Sequence, residues 1–138
     1  MDKKVFDNLV NSAILAREKS YCPYSNFAVG AALLCEDGEI FTGANIESSS
    51  YTPTVCAERV AFSTAIHAGK RNFCAIAIVG GKATDDISAY TPPCGVCRQF
   101  MAEFCSPDFP VILSNGKNSK VLTLGELLPE SFTKENLW

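Results

Sequence analysis

The chain has 138 residues, 47% apolar and 20% charged, with twelve basic against fifteen acidic side chains for a net charge of −3. That length suits a single domain, expected to span residues 1–138, whose core is large enough to fold without disulfides. With no run of Lys or Arg to track a phosphate backbone, nucleic acid is not an expected partner; with no stretch near the ~20 apolar residues of a membrane span and no leader pattern in MDKKVFDNLV, neither is a membrane, and a cytoplasmic protein is expected.

Between Val5 and Arg17 the apolar residues Val5, Phe6, Leu9, Val10, Ala13 and Ile14 recur at helical spacing, which predicts an amphipathic first helix. YCPYSN then reads as a loop, and FAVGAALLC, Phe27 to Cys35, as a strand buried on both faces. An EDG turn leads to a second strand in EIFTGAN, making a hairpin. The polar IESSSYTPTV precedes a helix in CAERVAFSTAIHAG, closed by Gly69. CAIAIVGG, Cys74 to Gly81, reads as another buried strand, CGVCRQFMAEFC as a helix, PVILSN and KVLTL as two strands, and GELLPESF as a short helix or turn limited by its proline. The order α-β-β-α-β-α-β-β-α argues for an α/β fold, a three-layer α/β/α sandwich, and the hairpins make its sheet mixed.

Seven cysteines at irregular spacing do not form a disulfide framework, and a single histidine, His67, leaves little room for histidine-based nucleophilic chemistry. Metal ligation is the natural use. Cys94-Gly-Val-Cys97 follows Pro92-Pro93 at a helix start, where both sulfurs can reach one ion; a redox dithiol or two unrelated buried thiols are the competing readings. Cys56 offers a third thiolate at another helix start, and three ligands leave the fourth tetrahedral position of Zn²⁺ open, as in catalytic sites. Glu58, two residues on, can face a zinc-bound water and move its proton, or merely satisfy the helix dipole. Arg59 and Arg98, each next to a ligand, can donate to thiolate sulfur and withdraw charge, or be solvated helix charges. Asn45 and Glu47, two apart at a strand end, can share a side and bind ribose hydroxyls. Phe27 alone reads as strand core. Cys22, Cys35, Cys74 and Cys105 read as buried small hydrophobes, His67 as a dipole contact in the last turn of its helix, and Trp138 as an untethered end.

TVCAER paired with PPCGVCRQ resembles the zinc-dependent cytidine deaminases, and YCPYSNFAVGAALL, GANIE, SYTPTVCAER and ELLPESF are similar to their small homotetrameric class. The resemblance implies a cytidine deaminase-like fold. It also implies hydrolytic deamination of cytidine and deoxycytidine to uridine and deoxyuridine with release of ammonia, a pyrimidine-salvage type of reaction run by a zinc-bound hydroxide and a glutamate proton shuttle. Carried onto matching positions, Cys56, Cys94 and Cys97 hold one Zn²⁺ per subunit and Glu58 is the acid/base. Arg59 chiefly donates to the thiolates, Phe27 packs on the pyrimidine, Ala57 offers its N–H to the base carbonyl, and Asn45 with Glu47 holds the sugar 3′-hydroxyl. Phe132 and Tyr51 reach across subunit interfaces, so the implied partners are a small-molecule nucleoside and further copies of the chain in a homotetramer with shared active sites. The loop Ser48 to Pro53 departs from the family's usual Asn-Ala after the sugar-binding Glu, which leaves a deaminase of modified cytosine nucleosides of the blasticidin S type as the alternative. A zinc-stabilised binding domain without catalysis is a rival from another class; it normally has four protein ligands.

Overall fold

A strand apolar on both faces needs cover on both sides, and FAVGAALLC obtains it by lying inside a five-stranded sheet with helices above and below. The computed structural model describes residues 1–137; Trp138, expected to be an untethered end, lies outside the described residues. In chain order the elements are α1 (Lys3–Ala16), β1 (Phe27–Cys35), β2 (Ile40–Ala44), α2 (Ala57–His67), β3 (Phe73–Lys82), α3 (Gly95–Phe104), β4 (Pro110–Ser114), β5 (Ser119–Thr123) and α4 (Leu124–Leu127), with 3₁₀ turns at Arg17–Lys19 and Lys134–Asn136. The strands lie in the order β2-β1-β3-β4-β5; β1 is antiparallel to both neighbours, β3 and β4 are parallel, and β5 returns antiparallel. The expected element order and mixed sheet are both present.

Alternation along β1 divides the core. Ala31 and Leu33 face a cluster centred on Phe62 of α2, with Met101 of α3, Ile76, Ile78, Val111 and Leu113; Ala32 and Leu34 face Leu9 and Ala13 of α1 with Ala77, Val79 and Ile112. Thus α1 covers one face, and α2 and α3 cover the other. Two glycines let the helices sit directly on the strands. A Cβ on Gly30 would lie 2.1 Å from Ala13 O of α1, and one on Gly43 would lie 2.4 Å from Ala57 O and 2.6 Å from Ala61 N of α2.

Because α2 follows β2 and α3 follows β3, both helix starts return to the same end of the sheet. The register places that end at Gly30 opposite Ala44 and at Phe27 opposite Lys82. Segments that read as polar loops are held there by backbone pairing: Tyr21 bridges Ile46, and Ile46 bridges Val55. Arg17 ties the end of α1 to the same region, donating from Nε to Ala28 O at 3.1 Å and from Nη2 to the carbonyls of Lys82 and of Asp85, the latter at 3.0 Å. No described helix is long and apolar enough to cross a membrane.

Candidate metal centre and active site

Cys56 and Cys94 each hold an extended N-cap conformation, φ −72° and ψ 155° for the first, φ −69° and ψ 167° for the second, and neither side chain caps its own helix. Pro92 and Pro93 favour that extended approach. The freed sulfurs turn toward each other, with Cys56 Sγ 3.6 Å from Cys94 Sγ, and Cys97, in the first turn of α3, brings the third so that all three lie within 4.8 Å of one another. Zn–S bonds of 2.3 Å at tetrahedral angles set sulfurs about 3.8 Å apart, so spacing and donor chemistry both fit Zn²⁺. The starts of α2 and α3 converge here, and their unpaired N–H groups favour thiolates. The neighbouring Cys97 thiol, aided by the Arg59 guanidinium and opposed by burial, draws the Cys56 thiol down to about 5, while the same pairing and burial hold Cys97 up.

Glu58, in the first turn of α2, is only 4% exposed, and burial pushes its carboxyl up to about 7, offset in part by its own backbone N–H. It adjoins the Cys97 thiol. A carboxyl poised there can both take and give a proton at neutral pH. Arg59 Nη2 lies 3.5 Å from Cys56 Sγ and 3.5 Å from Thr54 O, and its Nε is buried without an acceptor.

Arg98 requires a correction. Its Nε donates to Pro93 O at 2.7 Å and its Nη1 to Leu127 O at 2.7 Å, so instead of reaching sulfur it joins the residue before Cys94 to α4. Beside it Gln99 Nε2 donates to Phe132 O at 2.8 Å, and the Phe132 ring is 62% exposed.

On the other side of the site, Asn45 is buried and largely committed to backbone. Its Nδ2 donates to Phe27 O at 2.8 Å, and its Oδ1 accepts from Val29 N at 2.9 Å and from Ser20 Oγ at 2.5 Å, which leaves one amide N–H. Glu47 is half-buried and accepts from the backbone N–H groups of Tyr24 and Ser25 and from the Ser25 hydroxyl. It lines an open cavity of about 360 Å³ with Tyr24, Ser25, Tyr51 and Thr54. Tyr51 is 72% exposed, has φ 63°, and meets Tyr24 edge to face at 6.3 Å. Phe27 opens β1 with its ring 37% exposed, and Ala57 is the fully buried first residue of α2. Phe132 is not part of this cavity's wall. A larger cavity of about 580 Å³ between the end of α3 and the C-terminal segment is lined by Cys105 and part of ELLPESF but by none of the candidate metal, catalytic or substrate-binding residues.

Residues 4–113 match the family described as the cytidine and deoxycytidylate deaminase zinc-binding region. The chain belongs to that family. It is similar to the cytidine deaminase of Sporosarcina psychrophila, 48% identical over 95% of this chain and 93% of that one, and to that of Halalkalibacterium halodurans, 47% identical over 99% and 98%. Among solved structures it is similar to the cytidine deaminase of Burkholderia pseudomallei, with a TM-score of 0.85, 43% identity, and 96% and 100% of the two chains covered. The protein is therefore a zinc-dependent hydrolytic deaminase, and the three cysteines are its zinc-binding cluster.

Sequence reasoning missed Tyr24, Ser25 and Ser20, which hold Glu47 and Asn45, and Arg17 and Gln99, which hold the segments around them. Only the left-handed residue in YCPYSN, Asn26 at φ 55°, lay within reach of a sequence signal, since Asn tolerates that conformation.

Proposed function

We propose that the enzyme deaminates free cytosine nucleosides, cytidine and deoxycytidine, to the uracil nucleosides and ammonia. The observation that carries this reading is the buried Glu58 at the junction of the two helix starts that supply Cys56, Cys94 and Cys97. When bound, zinc supplies a Lewis acid that brings the pKa of a coordinated water to about 7. Glu58 takes one proton from the attacking water and delivers it to N3 of the pyrimidine, then takes the second from the new C4 hydroxyl as the carbonyl forms and gives it to the departing amine; its raised pKa supports both directions of transfer. Arg59 holds Cys56 and offsets part of the thiolate charge. The Ala57 N–H, in the first turn of its helix and so without an intrahelical acceptor, orients the base carbonyl. Phe27 lies against the pyrimidine face, and the remaining N–H of Asn45 with the Glu47 carboxylate engages a sugar hydroxyl. A carboxylate at the 3′-hydroxyl repels a 3′-phosphate, which agrees with a free nucleoside substrate.

The exposed rings of Tyr51 and Phe132 support a homotetramer in which each completes a neighbour's site, since large apolar rings are seldom left in water without a partner. The seven free cysteines suit a reducing compartment, the cytoplasm. The test joins metal analysis with loss of cytosine absorbance. One zinc per chain, turnover of cytidine and deoxycytidine, and little turnover of deoxycytidylate are expected; preferential turnover of the nucleotide would overturn the substrate assignment. Complementation tests the sharing: mixing Glu58→Gln with Phe132→Ala chains under subunit exchange should restore activity above the parental average, and an active monomer by light scattering would refute it.

A further inference from the structure

Glu47 is held by a turn lying more than twenty residues earlier in the chain. Its Oε1 accepts from Tyr24 N at 3.0 Å and Ser25 N at 3.1 Å, and its Oε2 accepts from the Ser25 hydroxyl. Ser25 Oγ in turn accepts from Phe27 N at 3.0 Å. That neighbour can only donate, so the one hydroxyl proton is committed to Glu47. The turn is closed by Asn26 N donating to Cys22 O at 3.0 Å, with Asn26 left-handed, and is pinned to the end of β3 by Ala83 N donating to Asn26 O at 2.9 Å.

An ionised carboxylate offers about four acceptor positions, and the turn fills three of them. The one that remains is on Oε2, beside the Ser25 hydroxyl that fixes its direction. We propose that Ser25 is the positioning residue of the sugar site: it aims the single free acceptor of Glu47 and, through the Phe27 N–H, locks that carboxylate to the strand start that carries the base-facing ring. The inference rests on Glu47 accepting from a secondary hydroxyl of the sugar. Ser25 is exposed and the two backbone donors survive its truncation, so the change alters aim more than fold.

The experiment measures KM and kcat for cytidine and for 2′,3′-dideoxycytidine, which lacks both hydroxyls available to Glu47, in Ser25→Ala, Ser25→Thr, Glu47→Ala and the Ser25→Ala/Glu47→Ala double variant. In Ser25→Ala the KM for cytidine rises about tenfold, the low end for a hydrogen bond to a charged group, with kcat little changed. The dideoxy analogue is unaffected, Thr restores the wild-type value, and Ser25→Ala adds nothing to Glu47→Ala. If Glu47→Ala leaves the cytidine KM unchanged, the sugar reading itself fails and this inference with it. If Glu47→Ala raises KM while Ser25→Ala does not, or Ser25→Ala harms the dideoxy analogue equally, or the two changes add independently, Ser25 does not position the acceptor.

Discussion

Cys56, Glu58, Cys94 and Cys97 all lie at or inside the first turn of two helices, whereas Phe27 comes from a strand start and Asn45, Glu47 and Tyr51 from the loop between β2 and α2, which must find one another. In the first half of the site, chain spacing does most of the positioning. A CxxC at a helix start puts both sulfurs on one side, and a second helix start arriving at the same sheet end supplies the rest. In the second half, positioning is done by hydrogen bonds between residues 22 and 23 apart, such as those from Tyr24 and Ser25 to Glu47. Local spacing encodes a metal centre compactly; a loop-built half around Glu47 needs the whole fold before any residue has a direction.

The sharpest way to break the contrast is Glu58→Gln. If the metal half is self-contained, the variant keeps its zinc and its fold while turnover falls about 10⁴-fold, the upper end for a general acid/base that handles more than one proton. Metal analysis and kcat on cytidine decide it. Substantial turnover at full metal content would remove Glu58 from the chemistry.

Gly43→Ala tests whether that half owes its geometry to the sheet as well as to its motifs. The added methyl would press on Ala57 O and Ala61 N of α2, and forcing the helix away should cost about 1 to 3 kcal/mol. Cys56 and Glu58 move with the helix, so zinc affinity should fall with the melting temperature. Gly95→Ala is the matched control, because it lies between Cys94 and Val96 yet has open space at its Cβ position and a φ that any residue can adopt. Equal damage from the two substitutions would mean that the ligand motifs, not the β2–α2 packing, set the centre.

The same contrast explains what the sequence could disclose. β1 was readable to its end residues because nine successive weakly polar residues have few alternatives, and the cysteine trio because metal ligation narrows geometry. The fate of Arg98 was not readable: its position beside Cys97 suggests sulfur, but the acceptors it finds, Pro93 O and Leu127 O, exist only once α4 folds back against α3. Asn45 and Glu47 were legible as a pair and not as what holds them, since backbone donors carry no residue-specific signature. The bridges from Tyr21 to Ile46 and from Ile46 to Val55 join stretches whose polar composition signals only loop.

The smallest expected effect lies at the far end of β1, where Lys70, just beyond α2, pairs with Asp37 at 2.6 Å and Glu39 at 3.0 Å across the hairpin turn. It serves as a third region, built like the Glu47 half from distant residues but remote from both halves of the site. The Lys70 hydrogen bond holds the Asp37 carboxyl below its ordinary range, so folding favours its ionised form. The resulting stabilisation is present at neutral pH and lost as pH falls through the folded-state value, where the native carboxylate protonates as well. All three groups are at least partly in water, so screening keeps the contribution small and salt should weaken it further. Lys70→Met is therefore expected to lower the melting temperature slightly at pH 7, with the difference from the parent narrowing both in acid and in concentrated salt. Zinc content and the KM for cytidine should be unchanged. A change in either would mean that the hairpin end of α2 communicates with its catalytic start along the helix, and the separation between a locally built metal half and its surroundings would have to be redrawn.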